Sequence, residues 1–390
     1  MTRISATFAA LALLATPAAA YDGLVEKQTF ELPSYATVGG EIIAPVRIGW
    51  ESYGELNEAG DNAILVTHYF SGTSHAAGKY AETDAKPGYW DYLIGPGKPL
   101  DTDKFFVLSS DTLVNLNFHD PNVVTTGPAS IDPETGQPYG LDFPIVTIRD
   151  FVEVQKALVG SLGITKLHAV MGASMGGLQA LEWASAHPDM VERTVAVISA
   201  GAADPYLIGW LDAWAAPIRL DPNWQGGAYY GGAPPSAGLT DALRLVTLQA
   251  LHWEWAAQFD RAPAEAGKDP AAALGNKFAI EAFLDAAAGG RAAVSDANHF
   301  LYLVKANQLF AAGQGGSVDE GLAAIESPVL LLPASDDLVF FPGLVEQTRA
   351  LIAADGTAVD MTLLEGSLGH LDGVNSLGQV EEDLRAFLSD

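Results

Sequence analysis

The sequence predicts an α/β protein: a mostly parallel central sheet flanked by helices, interrupted late in the chain by a helical insertion. Three observations predict it. Residues 148–199 alternate helix, strand, helix, strand at the spacing of a βαβ unit, and that connection places neighbouring strands parallel. A Gly-x-Ser-x-Gly run, Gly172-Ala-Ser174-Met-Gly176, stands between one of those strands and the helix that follows. The pattern lapses into an Ala-rich helical stretch from about residue 201 to 316, then returns from Pro328.

Taken in order, the chain opens on Arg3, an apolar run from Ile4 to Ala15, and Ala18-Ala19-Ala20 before Tyr21. A basic start, a short apolar core and an Ala-x-Ala end predict a secretory signal peptide over residues 1–20 and a mature chain starting near Tyr21, periplasmic or secreted. The run is too short to cross a bilayer, and no later stretch reads as a membrane span. Residues 21–200 are predicted to form the first part of the core. Glu41–Trp50 reads as early strands, Asp61–His68 as a buried strand, and Lys104–Ser110 as another. Asp111–Phe143, rich in Pro, Gly, Asn and Thr, predicts a long ordered loop. A helix over Ile148–Leu162 stops at Gly163. A strand over Lys166–Met171, a helix over Gly177–His187 closed by Pro188, and a strand over Glu192–Ser199 follow. Residues 201–316 predict a helical lid, broken at Asp221–Gly238. It holds Trp210, Trp214, Trp224, Trp253 and Trp255, aromatic rings suited to packing and to covering a site. Residues 317–390 complete the core, with strands over Val329–Leu332 and Val359–Leu364 and helices over Pro342–Ala353 and from Val380.

Composition removes several classes of function. Of 390 residues, 49% are apolar and 17% charged, the profile of an ordered globular chain. The 48 acidic residues outnumber the 20 basic ones, a net charge of −28 that argues against nucleic acid and anionic membrane as partners. With no cysteine there is no disulfide, thiolate metal site or cysteine nucleophile. Neither a His-Glu-x-x-His zinc helix nor a phosphate-binding loop is present, and Gly95-Pro96-Gly97 reads as a turn. No cofactor is expected.

The chemistry centres on Ser174. Glycines on both sides permit a sharp strand-to-helix turn that exposes the hydroxyl at the head of the sheet, with helix N–H groups behind it. A serine hydroxyl is a weak nucleophile and needs a base oriented by a carboxylate, in the chain order Ser, acid, His. His252, His299 and His370 follow Ser174, and the first two fall inside the helical insertion. His370, in a turn after the last strand, is the predicted base. The acid should lie at the end of the strand from Pro328, where Asp336 and Asp337 are adjacent and spacing does not separate them. The oxyanion hole is expected from the Met175 N–H and from a second N–H in the loop Tyr69-Phe70-Ser71-Gly72, with Gly72 a candidate hinge.

At these residues the sequence resembles the homoserine O-acetyltransferase family of the α/β-hydrolase fold. The resemblance runs from about Trp50 to His370. Its specific parts are Thr126-Gly-Pro-Ala-Ser130 with Pro133–Gly140, Phe143–Asp150, Leu162-Gly-Ile164, and Gly172–Gly177 continuing into Leu178–Trp183. Asp221-Pro-Asn-Trp224, Gly227–Tyr230, Ala297-Asn298 and Phe300–Leu303 resemble the family's lid. The resemblance implies that Phe70 supplies the second oxyanion N–H and that Asp337, with Asp336 in reserve, is the acid. It also implies a small acyl ester or thioester as donor (acyl-CoA would be a co-substrate) and an alcohol acceptor or water. A homodimer is compatible with it. Two departures stand out. The family carries Asp directly after the catalytic His, to hold the acceptor; here that position is Leu371, with an acid only at Asp372. The family's basic lid residues correspond only approximately to Arg219 and Arg244.

The leading expectation is a two-step acyl transfer through Ser174. An exported carboxylesterase with the same triad is the alternative. A catalytically silent binding protein on this fold is a third reading, and it predicts a broken triad.

Overall fold

The computed structural model describes residues 21–389; the predicted signal segment lies outside the described residues. Eight strands form the main sheet: β1 (Gln28–Leu32), β2 (Val46–Tyr53), β3 (Ala63–Thr67), β4 (Phe106–Ser110), β5 (Leu167–Ala173), β6 (Thr194–Val197), β7 (Val329–Leu332) and β8 (Val359–Met361). Their spatial order is β1-β2-β4-β3-β5-β6-β7-β8. β1 and β2 pair antiparallel, as do β2 and β4, and every later pairing is parallel. β3, β4, β6 and β7 are buried along their whole length, which explains why each is a short run of apolar residues rather than an alternating one.

The longer helices are α1 (Ile148–Ser161), α2 (Met175–Ala186), α3 (Pro205–Leu220), α4 (Ser236–Ala250), α5 (Ala279–Ala292), α6 (Ala297–Gln308), α7 (Pro342–Ala353) and α8 (Glu381–Ser389). α1 begins at a capping box: the Thr147 N–H donates to Asp150 Oδ2 at 2.7 Å. Asp150 also accepts from Tyr35 Oη and the Val38 N–H, tying the helix start to the N-terminal segment. α1 and α2 are joined by a buried amide chain. Trp183 Nε1 donates to Gln155 Oε1, Gln155 Nε2 to Gln179 Oε1, and Gln179 Nε2 to the His68 carbonyl at the end of β3. Each of these buried polar groups therefore has a partner.

The register sets the site. Ala173, Val197 and Leu332 lie in one row across β5, β6 and β7. The residues that follow them emerge along the same edge, at the carboxyl ends of the parallel strands, where ligands bind in open α/β sheets.

Several elements differ from the sequence expectation. α2 starts at Met175 rather than Gly177, because the turn at Ser174 leads straight into the helix. β1 was not expected: it is an edge strand with much of its length exposed, so it lacks the apolar signature. β8 ends at Met361, and Leu364 makes only an isolated bridge to Ala334. Within residues 201–316 a second break in the helices, after α4, carries only short turns over Trp253–Phe259 before α5. Gly97 does lie in a turn, but Gly95 belongs to the two-residue strand Ile94–Gly95, which pairs with Leu100–Asp101.

Candidate active site

Ser174 sits in a backbone conformation that side chains rarely adopt, φ 56° and ψ −124°. Such a residue costs about 1–3 kcal/mol and persists only where its surroundings hold it. The Ser174 N–H donates to the Val197 carbonyl at 2.9 Å, and Thr67 Oγ1 donates to the Gly176 carbonyl at 2.8 Å. The flanking glycines are required by close approach. A Cβ on Gly172 would overlap Thr67 Oγ1 and the Gly176 backbone, and one on Gly176 would overlap the Thr67 carbonyl. β3 thus presses directly on the turn, and the turn aims the serine away from it.

His370 Nε2 lies 2.8 Å from Ser174 Oγ, and His370 Nδ1 lies 2.8 Å from Asp337 Oδ2. The histidine rides on a short turn, Gly369–Leu371, and is buried. Asp337 is 1% exposed, and its Oδ1 accepts from the Val339 and Phe340 N–H groups at 2.7 and 3.1 Å. The Asp336 side chain is 47% exposed and turns toward Ser335 and His252. Geometry therefore separates the two acids that spacing left open.

The Phe70 and Met175 N–H groups make no hydrogen bond to a backbone carbonyl among the described residues; Phe70 lines the same cavity as Ser174, and Met175 directly follows Ser174 in the chain. Met175 is the first residue of α2, where an N–H has no intrahelical partner. The loop carrying Phe70 is held from outside. Asn117 Nδ2 donates to the Ser71 carbonyl, Asn115 Nδ2 to the Gly72 carbonyl, and Asp111 Oδ1 accepts from the Ser74 N–H. Gly72 closes a turn, its N–H donating to the Tyr69 carbonyl at 2.8 Å.

Behind the loop lies a buried charge cluster that sequence reasoning missed. Glu51 is fully buried and accepts from Lys27, His75, Tyr53 and Tyr80. Burial alone would raise its carboxyl, but the hydrogen bond from His75 and the charge of Lys27 outweigh it and bring the pKa down from 4.5 to about 2. Among the described residues no cluster of three or more His, Cys, Asp or Glu is arranged to hold a metal ion. None of their helices is long and apolar enough to cross a membrane.

A cavity of about 110 Å³ opens on Ser174 and His370, lined among others by Phe70, Trp214, Arg291 and Leu371. Of the five tryptophans in the insertion only Trp214 lines it, packed edge-on to Phe70. Arg219 and Arg244 do not. Arg219 pairs with Asp212, beside a separate surface groove, and Arg244 is neutralised by Asp241 and Asp285. Asp372 does not stand in for an acid at position 371. Its carboxylate is turned into its own loop, accepting from the Leu368 N–H at 2.9 Å and Ser376 Oγ at 2.6 Å. Arg291, which the sequence did not single out, is the cation that reaches the cavity.

Residues 125–362 match the family model described as alpha/beta hydrolase fold. The chain is 38% identical over 356 residues to a homoserine O-acetyltransferase of Symbiobacterium thermophilum, covering 90% of this chain and 91% of that one. It is 39% identical over 366 residues to another from Solidesulfovibrio magneticus, covering 91% and 90%. The chain belongs to the homoserine O-acetyltransferase family. Among solved structures, the homoserine O-acetyltransferase from Bacillus anthracis superposes with a TM-score of 0.90 at 36% identity, over 94% of this chain and 98% of that one. Esterase E22 superposes with the same TM-score at 49% identity, over 94% and 100%. The curated relatives are acyltransferases of the α/β-hydrolase superfamily, and this chain is an enzyme of that superfamily, an acyltransferase or an ester hydrolase.

Proposed function

We propose that this chain is an exported carboxylesterase built on the homoserine O-acetyltransferase scaffold, hydrolysing small acyl esters through an acyl-enzyme on Ser174. The observation that carries the reading is Leu371. It lines the cavity directly beside His370, where family resemblance calls for an acidic residue to hold an amino-acid acceptor. An isobutyl group there offers an acceptor amine no partner and leaves water as the recipient of the acyl group. The 49% identity to esterase E22 supports the same choice. Export, read from residues 1–20, supports it too, because an acyl-CoA donor is not expected outside the cytoplasm.

In this reading His370 Nε2 takes the Ser174 proton as Oγ attacks the ester carbonyl. The Phe70 and Met175 N–H groups receive the negative charge that develops on the carbonyl oxygen. His370 then protonates the leaving alcohol. A water enters and attacks the acyl carbon as it loses a proton to His370; His370 returns that proton to Ser174 Oγ as the acyl–serine bond breaks, which frees the acid and restores the enzyme. Asp337 holds Nδ1–H and so keeps Nε2 free to accept. The insertion, residues 201–316, serves as a lid that shapes the cavity through Trp214 and narrows it to short acyl groups. Acyl transfer to an alcohol is the second reading, favoured by the family relationship itself. A silent binding protein is disfavoured because Ser174, His370 and Asp337 stand at hydrogen-bonding distance.

Turnover of 4-nitrophenyl acetate and butyrate, with and without homoserine or a simple alcohol, tests the proposal. Hydrolysis is expected with every ester, and no more than a minor O-acyl product with an acceptor. An O-acyl product formed faster than free acid would overturn it in favour of transfer.

A further inference from the structure

The loop that carries Phe70 runs on through Ser74 to Tyr80, and its far end is held by buried charge. Glu51, Ser74 and Asp111 are all fully buried. Asp111 follows β4, and its Oδ1 accepts from the Ser74 N–H at 2.8 Å and from Ser74 Oγ at 3.0 Å. Glu51, in β2, accepts from Tyr53 Oη at 2.8 Å and from Tyr80 Oη at 2.6 Å. Tyr53 Oη in turn accepts from the Ala76 and Ala77 N–H groups, each at 3.0 Å. Lys27 joins the two carboxylates. Its Nζ lies 2.7 Å from Glu51 and 3.7 Å from Asp111, and it donates to Ser74 Oγ. Among the described residues it is the only cation within ion-pairing reach of Asp111. Two carboxylates at this depth have lost their hydration and repel each other, so the shared cation holds both in place, together with the loop they bind. Lys27 comes from the segment ahead of β1, which lies along the same loop. The Val25 N–H donates to the Lys79 carbonyl and the Lys79 N–H to the Gly23 carbonyl, both at 2.9 Å. The Tyr21 ring packs edge-on to Tyr53.

We infer that Lys27 is a positioning residue for the oxyanion hole: through Ser74 and Asp111 it sets where the loop places the Phe70 N–H. The inference rests on the reading of Phe70 as an oxyanion donor. Lys27 itself does not line the cavity. The near end of the loop is anchored at His68, whose carbonyl accepts from Gln179 and whose ring meets Asn115. The ion cluster closes the other end. A backbone N–H cannot be re-aimed by a change of rotamer, so its direction is only as well fixed as the two anchors of its loop. Oxyanion stabilisation depends steeply on that direction.

Lys27→Met keeps the side-chain length and removes the charge. Hydrolysis of 4-nitrophenyl acetate is measured beside labelling by a fluorophosphonate ester, whose phosphoryl oxygen enters the same oxyanion hole and which needs no acceptor. Per labelled site, kcat should fall about tenfold to hundredfold, a part of the loss that removing an oxyanion donor causes, with KM within about threefold. The labelling rate constant should fall in parallel while the labelled fraction stays near complete. A merely structural lysine would lower the labelled fraction and leave the rates per labelled site unchanged, and that result overturns the inference. Ser317→Ala is the comparison: it removes the N-cap of the surface helix Val318–Ala323, and should lower Tm while leaving both rates per site within about twofold. If Lys27→Met fails to fold, Ser74→Ala decides, because it removes the hydroxyl between Lys27 and Asp111 and leaves every charge in place. A kcat lower by about fivefold or more at unchanged KM upholds the inference, and an unchanged kcat overturns it. If labelling slows in the variant while even the wild type hydrolyses no ester, the esterase reading fails and this one stands.

Discussion

Replacing Asp337 by Asn disables the base through its tautomer, and the structure says why. Oδ1 of Asp337 accepts from two backbone N–H groups, those of Val339 and Phe340. An asparagine must therefore place its carbonyl oxygen there, since its NH2 would face two donors. That puts the NH2 at the Oδ2 position, 2.8 Å from His370 Nδ1. Nδ1 must then accept, the ring proton moves to Nε2, and Nε2 faces Ser174 Oγ as a donor. It can no longer take the serine proton. Loss of the correct tautomer in a Ser-His-Asp arrangement costs about 10⁴ in kcat, or about 5 kcal/mol of transition-state stabilisation. Asp336→Asn changes a side chain that is nearly half exposed and should stay within about threefold of wild type. The assay is 4-nitrophenyl acetate hydrolysis at pH 7–8, with circular dichroism to establish that both variants are folded. A loss below tenfold in Asp337→Asn, or a larger loss in Asp336→Asn, refutes the reasoning.

Gly176→Ala should abolish esterase activity and destabilise the fold by about 1–3 kcal/mol, the range for overpacking, because the added Cβ overlaps the Thr67 carbonyl; thermal unfolding and turnover check it. Glu51 gives a pH dependence whose sign is fixed by its lowered pKa. Its contribution is complete above about 4.5 and is lost as pH falls toward 2, a swing of about 3 kcal/mol. Glu51→Gln should therefore be less stable at pH 7 and flatter between pH 4.5 and 2 in urea titrations; a slope equal to wild type counts against the cluster. Leu371→Asp places an acid beside His370 and should cut hydrolysis of neutral esters about tenfold while raising O-acylation of an amino-alcohol acceptor, read by mass spectrometry. An unchanged product ratio would show that Leu371 does not decide between water and acceptor.

The parallel half of the fold was legible because its strands are short apolar runs framed by helices, a local signal. The insertion of β4 between β2 and β3 was not, since pairing over long sequence distances leaves no local trace. β1 was missed for the opposite reason: an exposed edge strand has no reason to be apolar. In the site, Ser174 and His370 were legible from motif, chain order and loop placement. Choosing Asp337 over Asp336 required the family register, because only three-dimensional packing shows which carboxylate faces the ring. Arg219 and Arg244 were nominated by position in the insertion, yet nearby aspartates claim both. Arg291 could not be nominated. It stands in an ordinary Gly-Gly-Arg-Ala stretch, and only the packing of α5 beside α4 turns it inward. The Lys27–Glu51 cluster was hidden in the same way, its members coming from residues 27, 51, 75 and 80.

The central claim is that Ser174 is the nucleophile, and covalent trapping tests it most directly. Intact mass of the protein treated with a fluorophosphonate ester should rise by one phosphonyl group, mapped by peptide mass to Ser174 and absent from Ser174→Ala. Labelling that persists in Ser174→Ala, or that maps to another residue, would contradict the account.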